Sequence, residues 1–184
     1  MKYRIIPILL SLLTMPLHAQ ETVEVNYSYG GNANLSGIGP SLQFASFADS
    51  RGLANPNLIV AEGLDSADGY AAEAPLADIV RDAFVQAFSK GGATVVDADG
   101  GMTIAGELSA SSVEVVDRSG VESIQLTLRV SISLQNRGRS IYDSNLFGRG
   151  IVPVEDGLAS AVHSALDRMI RDLTNDDYFM IELM

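Results

Sequence analysis

The chain has 184 residues, 47 % of them apolar, with 12 Lys or Arg against 23 Asp or Glu and a formal net charge of −11. That length fits one ordinary domain, and a field so negative repels phosphate backbones and anionic membrane surfaces, so no nucleic-acid partner is expected. The sequence contains no cysteine, which excludes disulfides, thiol catalysis and thiolate metal sites together.

Residues 1–19 have the pattern of a cleaved export signal. Lys2 and Arg4 precede an apolar run from Ile5 to Met15, and Leu17-His18-Ala19 gives a small residue at the cut. The run is shorter than the roughly 20 apolar residues of a stable anchor. No later stretch is longer, so no transmembrane anchor is expected in the mature chain. Cleavage before Gln20 removes two bases and no acid, leaving the mature protein more acidic still. An exported lipoprotein needs a cysteine directly after its signal, so a periplasmic protein without lipid is expected.

Thr22 to Tyr29 alternates, with Val23, Val25, Tyr27 and Tyr29 on one side, which predicts a strand. The glycine-rich stretch to Pro40 follows. It lacks the lysine and the helix start of a phosphate loop and is expected to be a plain loop. Ser41 to Phe47 predicts a second strand, ending at Asp49-Ser50-Arg51-Gly52. Leu53 to Ala74 is a long connection without regular pattern, holding the apolar run Leu58-Ile59-Val60-Ala61; such connections are usually functional or mobile.

Pro75 to Lys90 predicts a helix, because Leu76, Ile79, Val80, Ala83, Phe84, Ala87 and Phe88 recur at three and four residues and Gly91-Gly92 stops them. Ala93 to Val96 is a short strand and Asp97 to Gly101 a turn. Met102 to Val116 alternates, with a phase change at Ser111-Ser112 that predicts a bulge. Ser123 to Gln135 alternates strictly from Ile124 to Leu134, which predicts one buried and one wet face. After Asn136-Arg137-Gly138-Arg139, a hairpin turn, Ser140 to Gly150 returns as a more polar strand at or near an edge. Asp156 to Leu173 is a second one-sided helix with Asp156 as its cap.

These elements predict an α+β fold. It is a two-layer sandwich with a four- to five-stranded, mainly antiparallel sheet and two helices on one face, in β-α-β-β-β-β-α order. Residues 20–40 form an N-terminal strand and loop, 41–175 the single domain, and 176–184 a C-terminal tail.

Few residues suggest chemistry. Asp49 could be a general acid or base, or Arg51 an anion clamp, but a strand end whose Asp49 and Ser50 bond local backbone, with Arg51 pairing an acid on the sheet rim, explains them better. Asp97-x-Asp99-Gly opens like a calcium loop and then fails it at Gly101, Met102 and Leu108, so a hairpin turn is expected. His163 lies off its helix's apolar stripe and is expected on the surface; as the only histidine after the signal it makes a metal site or a triad a poor reading. Lys90 has no serine partner in pattern. Asp167-Arg168 and Arg171-Asp172 suit i,i+4 pairs on a wet face. No catalytic, cofactor or metal residue is assigned. Asp49, Arg51, Leu58 and Ile59 are named as rim or partner-contact positions.

Taken in order, "TVEVNYSY", "SLQFASFADSRG", "PLADIVRDAFVQAFSKGGATVV", "GMTIAGELSASSVEVV", "ESIQLTLRVSISLQNRGRSIYD" and "DGLASAVHSALDRMIRDL" resemble the elements of the YajG-type periplasmic lipoproteins. The likeness runs from Thr22 to Leu173, and its only motif is Asp49-x-Arg51. The chain departs from that family in lacking the lipid-bearing cysteine. With this resemblance, a non-enzymatic, cofactor-free envelope protein is expected, an adaptor or accessory working by contact with an envelope protein partner through a surface groove or a sheet edge, with the loop 53–74 as a mobile contact element. Two rivals remain. One is an envelope-polymer hydrolase using a carboxylate pair 5–10 Å apart. The other is a small-ligand or cation binder using Asp97 and Asp99.

Overall fold

The computed structural model describes residues 21–59 and 69–184. The expected signal, residues 1–19, and the middle of the long connection, residues 60–68, lie outside them. Eight strands and three helices follow in chain order. They are β1 (Glu21–Val23), β2 (Leu42–Phe44), β3 (Ala48–Asp49), β4 (Tyr70–Ala72), α1 (Leu76–Lys90), β5 (Val95–Val96), β6 (Met102–Arg118), β7 (Val121–Asn136), β8 (Arg139–Pro153), α2 (Gly157–Thr174) and α3 (Asp177–Glu182).

The expected α+β sandwich is present. Its main sheet is ordered β5-β2-β6-β7-β8, with β3 also pairing β6, and a separate parallel pair joins β1 to β4. The sheet has six strands, and its two halves differ. β6, β7 and β8 form a long antiparallel meander, whereas β2, β3 and β5 are short and run parallel to their neighbours. Asp97 to Gly101 is therefore not a hairpin turn: β5 and β6 are both parallel to β2 and lie on either side of it. The two true hairpins follow the glycine rule for tight loops. Ser119-Gly120 and Arg137-Gly138 all have positive φ, the geometry whose twist matches that of the flanking strands.

β7 supplies the floor of the core. Ile124, Leu126, Leu128, Val130, Ile132 and Leu134 are all buried, while Gln125, Thr127, Arg129, Ser131, Ser133 and Gln135 face the other way. The extra residue in β6 is Ser109, where the register steps from Leu108 to Ala110. The sequence suggests the break two residues later because small Ala110 continues the apolar alternation by name, although it pairs with exposed Arg129 on the open face.

Both helices cover the same face. α2 sits on β8 at Gly148 and Gly150, the partners of buried Leu128 and Leu126. A Cβ on Gly150 would lie 1.9 Å from the Ala161 carbonyl oxygen, and one on Gly148 2.7 Å from that of Ala165. The missing side chains let the helix backbone rest directly on the strand. α1 reaches the sheet through Phe84, which packs on Phe47 at 6.2 Å; the Phe47 ring fills the space beside Gly106, the partner of Ile132. Fully buried Leu76, Val80, Phe84 and Phe88 of α1 and Val162, Leu166, Ile170 and Leu173 of α2 complete one continuous core.

The C-terminal segment and the stretch after β1 belong to that core. α3 folds back so that Phe179 meets Phe88 and Tyr142, at 6.1 and 5.2 Å, and Phe179 and Leu183 are fully buried. Asp176 caps the turn, accepting the Phe179 amide at 3.1 Å and the Tyr142 hydroxyl at 2.9 Å. Asp156, the expected cap of α2, makes no side-chain capping bond, because it closes a 3-10 turn that feeds the helix. The expected strand Thr22–Tyr29 is a ladder only as far as Val23. Beyond it the chain runs as an extended strap over the helices, burying Val25, Tyr29 and Leu35.

Candidate contact site

Three places gather polar side chains: the node at Arg51, the cradle of the strap, and the open face of the sheet.

Arg51 is held on every side. Its guanidinium takes the Asp49 carboxylate through both oxygens, at 2.9 and 2.6 Å. It donates to the Ser111 hydroxyl at 2.9 Å, to the Pro56 carbonyl at 2.8 Å, and to the Leu58 carbonyl. Its side chain is 3 % exposed. The Arg51 hydrogen bonds hold the Asp49 carboxyl below its usual range, against a smaller opposing effect of burial. All the donors are used in joining a strand end to β6 and to the following loop, so the node is a structural clamp with no face left for a substrate or anion.

The same clamp corrects the placing of Leu58 and Ile59 on a contact surface. Its described ends are fastened: the amides of Ile59 and Ala72 donate to Tyr70 and Asn57 carbonyls at 2.9 and 2.8 Å, and that of Leu76 to Pro56 at 3.0 Å. Ile59, named as a contact position, is fully buried, and Leu58 is half-buried with its carbonyl held by Arg51. Neither presents the exposed apolar surface that a loop-borne contact needs. The sequence suggested that surface because an apolar pair between Asn-Pro-Asn and a small polar run looks like an unpacked loop.

The strap lacks a strand ladder there, so side chains satisfy its backbone. Glu73 accepts the amides of Val25 and Asn26 at 2.8 and 3.2 Å, Gln86 bonds Tyr29 and Tyr27, and Lys90 donates to the Tyr29 carbonyl at 2.6 Å. His163 is not a free surface residue. It is half-buried, its Nε2–H donates to the Val25 carbonyl, and its ring meets Tyr27 edge-on at 5.4 Å. Burial works to raise the Glu73 pKa, but the strap amides outweigh it and hold the carboxyl low, with His163 adding to their effect. Burial and the bond to Asp167, at 2.6 Å, push the Tyr27 phenol far up. Asp167 therefore belongs to the strap, while Arg168 and Asp172 form the expected i,i+4 pair at 2.9 Å. These groups hold one another, and the arrangement is a clasp.

The open face differs. A shallow depression of about 460 Å³ lies across β6, β7 and β8, lined by Ala105, Glu107, Ser131, Ser133, Asp143 and Asn145 among others. Ser131 donates to Asn145 at 2.8 Å, and Ser140 donates to Asp143 at 2.7 Å. Beside it Phe147 is 51 % exposed, with the Arg129 guanidinium over its ring at 5.1 Å. Glu107 and Asp143 are the acids that line the depression. They stand two strands and one pair apart, so their Cα atoms are about 12 Å from each other by strand spacing and rise. Hydroxyl donors from Ser140 and Ser133 lower the Asp143 pKa, the opposite of what a general acid needs. The sequence marks this face only as the wet half of an alternation; the depression needs the register of three strands.

No protein-family model matches the chain, and no curated protein matches its sequence. Solved structures do match its fold. Protein XCC0632 from Xanthomonas campestris, described with the family model DUF330, is 14 % identical, with 88 % of this chain and 96 % of that one covered at a TM-score of 0.66. A crystal structure of an uncharacterized protein is 14 % identical over 83 % of this chain and 93 % of its own, at 0.51. Among the described residues no helix is long and apolar enough to cross a membrane. What this chain has in common with the XCC0632 protein is therefore its architecture: three long strands in a meander, backed on one side by helices.

Proposed function

We propose that the protein acts by contact and catalyses no reaction, as an exported accessory of the cell envelope whose open sheet face receives a protein partner. The observation that carries this reading is Phe147. A large ring, 51 % exposed in the middle of a strand and stacked with Arg129, borders a depression rimmed with hydroxyl and amide groups. Aromatic and arginine side chains are the usual anchors of protein interfaces. A deep, water-excluding cleft with two nearby carboxylates, which a hydrolase of envelope polymers would use, is not what this surface resembles. The export pattern at residues 1–19 supports the periplasm as its place of work.

The test is cross-linking in intact periplasm followed by purification of the tagged protein. Ser131→Arg places a long charged side chain in the centre of the depression, on the middle strand. It should abolish recovery of the partner while leaving the circular dichroism spectrum unchanged. Recovery of the same partner at wild-type yield would overturn the assignment of the contact to this face.

A further inference from the structure

β8 ends the sheet, and among the described residues no strand lies beyond it. It is 15 residues long. A bare edge of that length offers a row of unpaired backbone groups, and proteins normally blunt such edges. The one irregularity, between Ser140 and Tyr142, comes at its start; from Tyr142 to Pro153 its ladder with β7 is unbroken. The rest of the strand is a regular, unbroken template.

Its side chains are self-complementary. A two-fold axis normal to the sheet sets β8 antiparallel to its copy and keeps both helix layers on one side. With the axis at Leu146, Asp143 of each copy stands opposite Arg149 of the other, and Asn145 opposite Phe147. On the covered side Tyr142 and Ser144 meet Gly150 and Gly148. Moving the axis to Asn145 or Phe147 sets no acid opposite a base. The charges are also available. Asp143 and Arg149 are both exposed; Arg149 has no ion pair or hydrogen bond among the described residues, and Asp143 has hydroxyl partners in place of a cation.

We infer that the protein forms a two-fold dimer through β8, joining two sheets into one continuous sheet with reciprocal Asp143–Arg149 pairs across the seam. The open face stays uncovered in this arrangement, so the dimer does not depend on the partner reading above.

Light scattering coupled to size exclusion, over a concentration series of the purified protein, tests it. The wild type should reach twice the monomer mass. Asp143→Arg sets like charges opposite each other at two places and should weaken association about ten- to a hundred-fold. Arg149→Asp, which breaks no ion pair or hydrogen bond among the described residues, should do the same, and the double charge swap should restore the dimer. Far-UV circular dichroism guards against a folding defect. A wild type that stays monomeric, a dimer indifferent to both single changes, or a swap that fails to restore association would each overturn the inference; the first would leave the edge to some other strand.

Discussion

Arg51 shows how one side chain can replace a stretch of secondary structure. Its guanidinium bonds one carboxylate, one hydroxyl and two carbonyls, so it fixes β3, β6 and the loop after it together. Removing it leaves the Asp49 charge and two carbonyls without their donor in a place with little water. We expect Arg51→Ala to lower the urea unfolding free energy by about 3 kcal/mol, and Arg51→Lys to recover only part of it, because an ammonium cannot match the planar fork. A loss under about 1 kcal/mol would contradict the clamp. The strand end and an ion pair for Arg51 were legible in the sequence, but not that the acid is Asp49, which is expected there to bond local backbone. The carbonyls of Pro56 and Leu58 were not, since any residue supplies a carbonyl and only the path of the chain decides which one arrives. His163 was misjudged for a related reason: it bonds a backbone oxygen 138 residues away.

Among the elements, length separates what the sequence shows from what it conceals. β7 and the two long helices follow periods of 2 and 3.6 over many residues, and the structure keeps them nearly as they read. β2, β3 and β5 have two or three residues each, too few for a period, and their parallel pairing depends on neighbours distant in sequence. The strap has the opposite fault. Val23, Val25, Tyr27 and Tyr29 alternate like a strand because alternate residues are covered, yet Asn26 between them has a positive φ and helices, not a ladder, receive the chain. The seat of α2 on β8 gives a sharp prediction. Gly150→Ala forces a Cβ against the Ala161 carbonyl, so the helix must shift; we expect a loss of about 3 kcal/mol in urea unfolding. Gly30→Ala, with an ordinary φ and nothing nearby, should change stability by less than about 0.5 kcal/mol.

For the whole molecule, the acids that matter are those bonded in the folded state. Asp49, Glu73 and Asp176 all have pKa values lowered by hydrogen bonds from Arg51, from the strap amides and from the start of α3 respectively. A carboxyl that ionises more easily when folded stabilises the fold above its unfolded pKa, near 4. That stability is lost as the pH drops through the lower, native value. The melting temperature, measured in high salt to screen the acidic surface, should therefore hold from neutral pH to about 4 and then fall steeply. Glu73→Gln should make the fall shallower, and an unchanged slope would separate Glu73 from acid unfolding. The strap that Glu73 holds has a consequence for how the molecule is assembled. Tyr27 and Val25 find Asp167 and His163 about 140 positions later, while Glu73, Gln86 and Lys90 hold the same stretch from nearer in the chain, so its full set of partners exists only once the second long helix does. Closing the strap therefore ties residues 25–29 to partners from both halves of the chain at once, and contacts of such wide sequence separation form slowly.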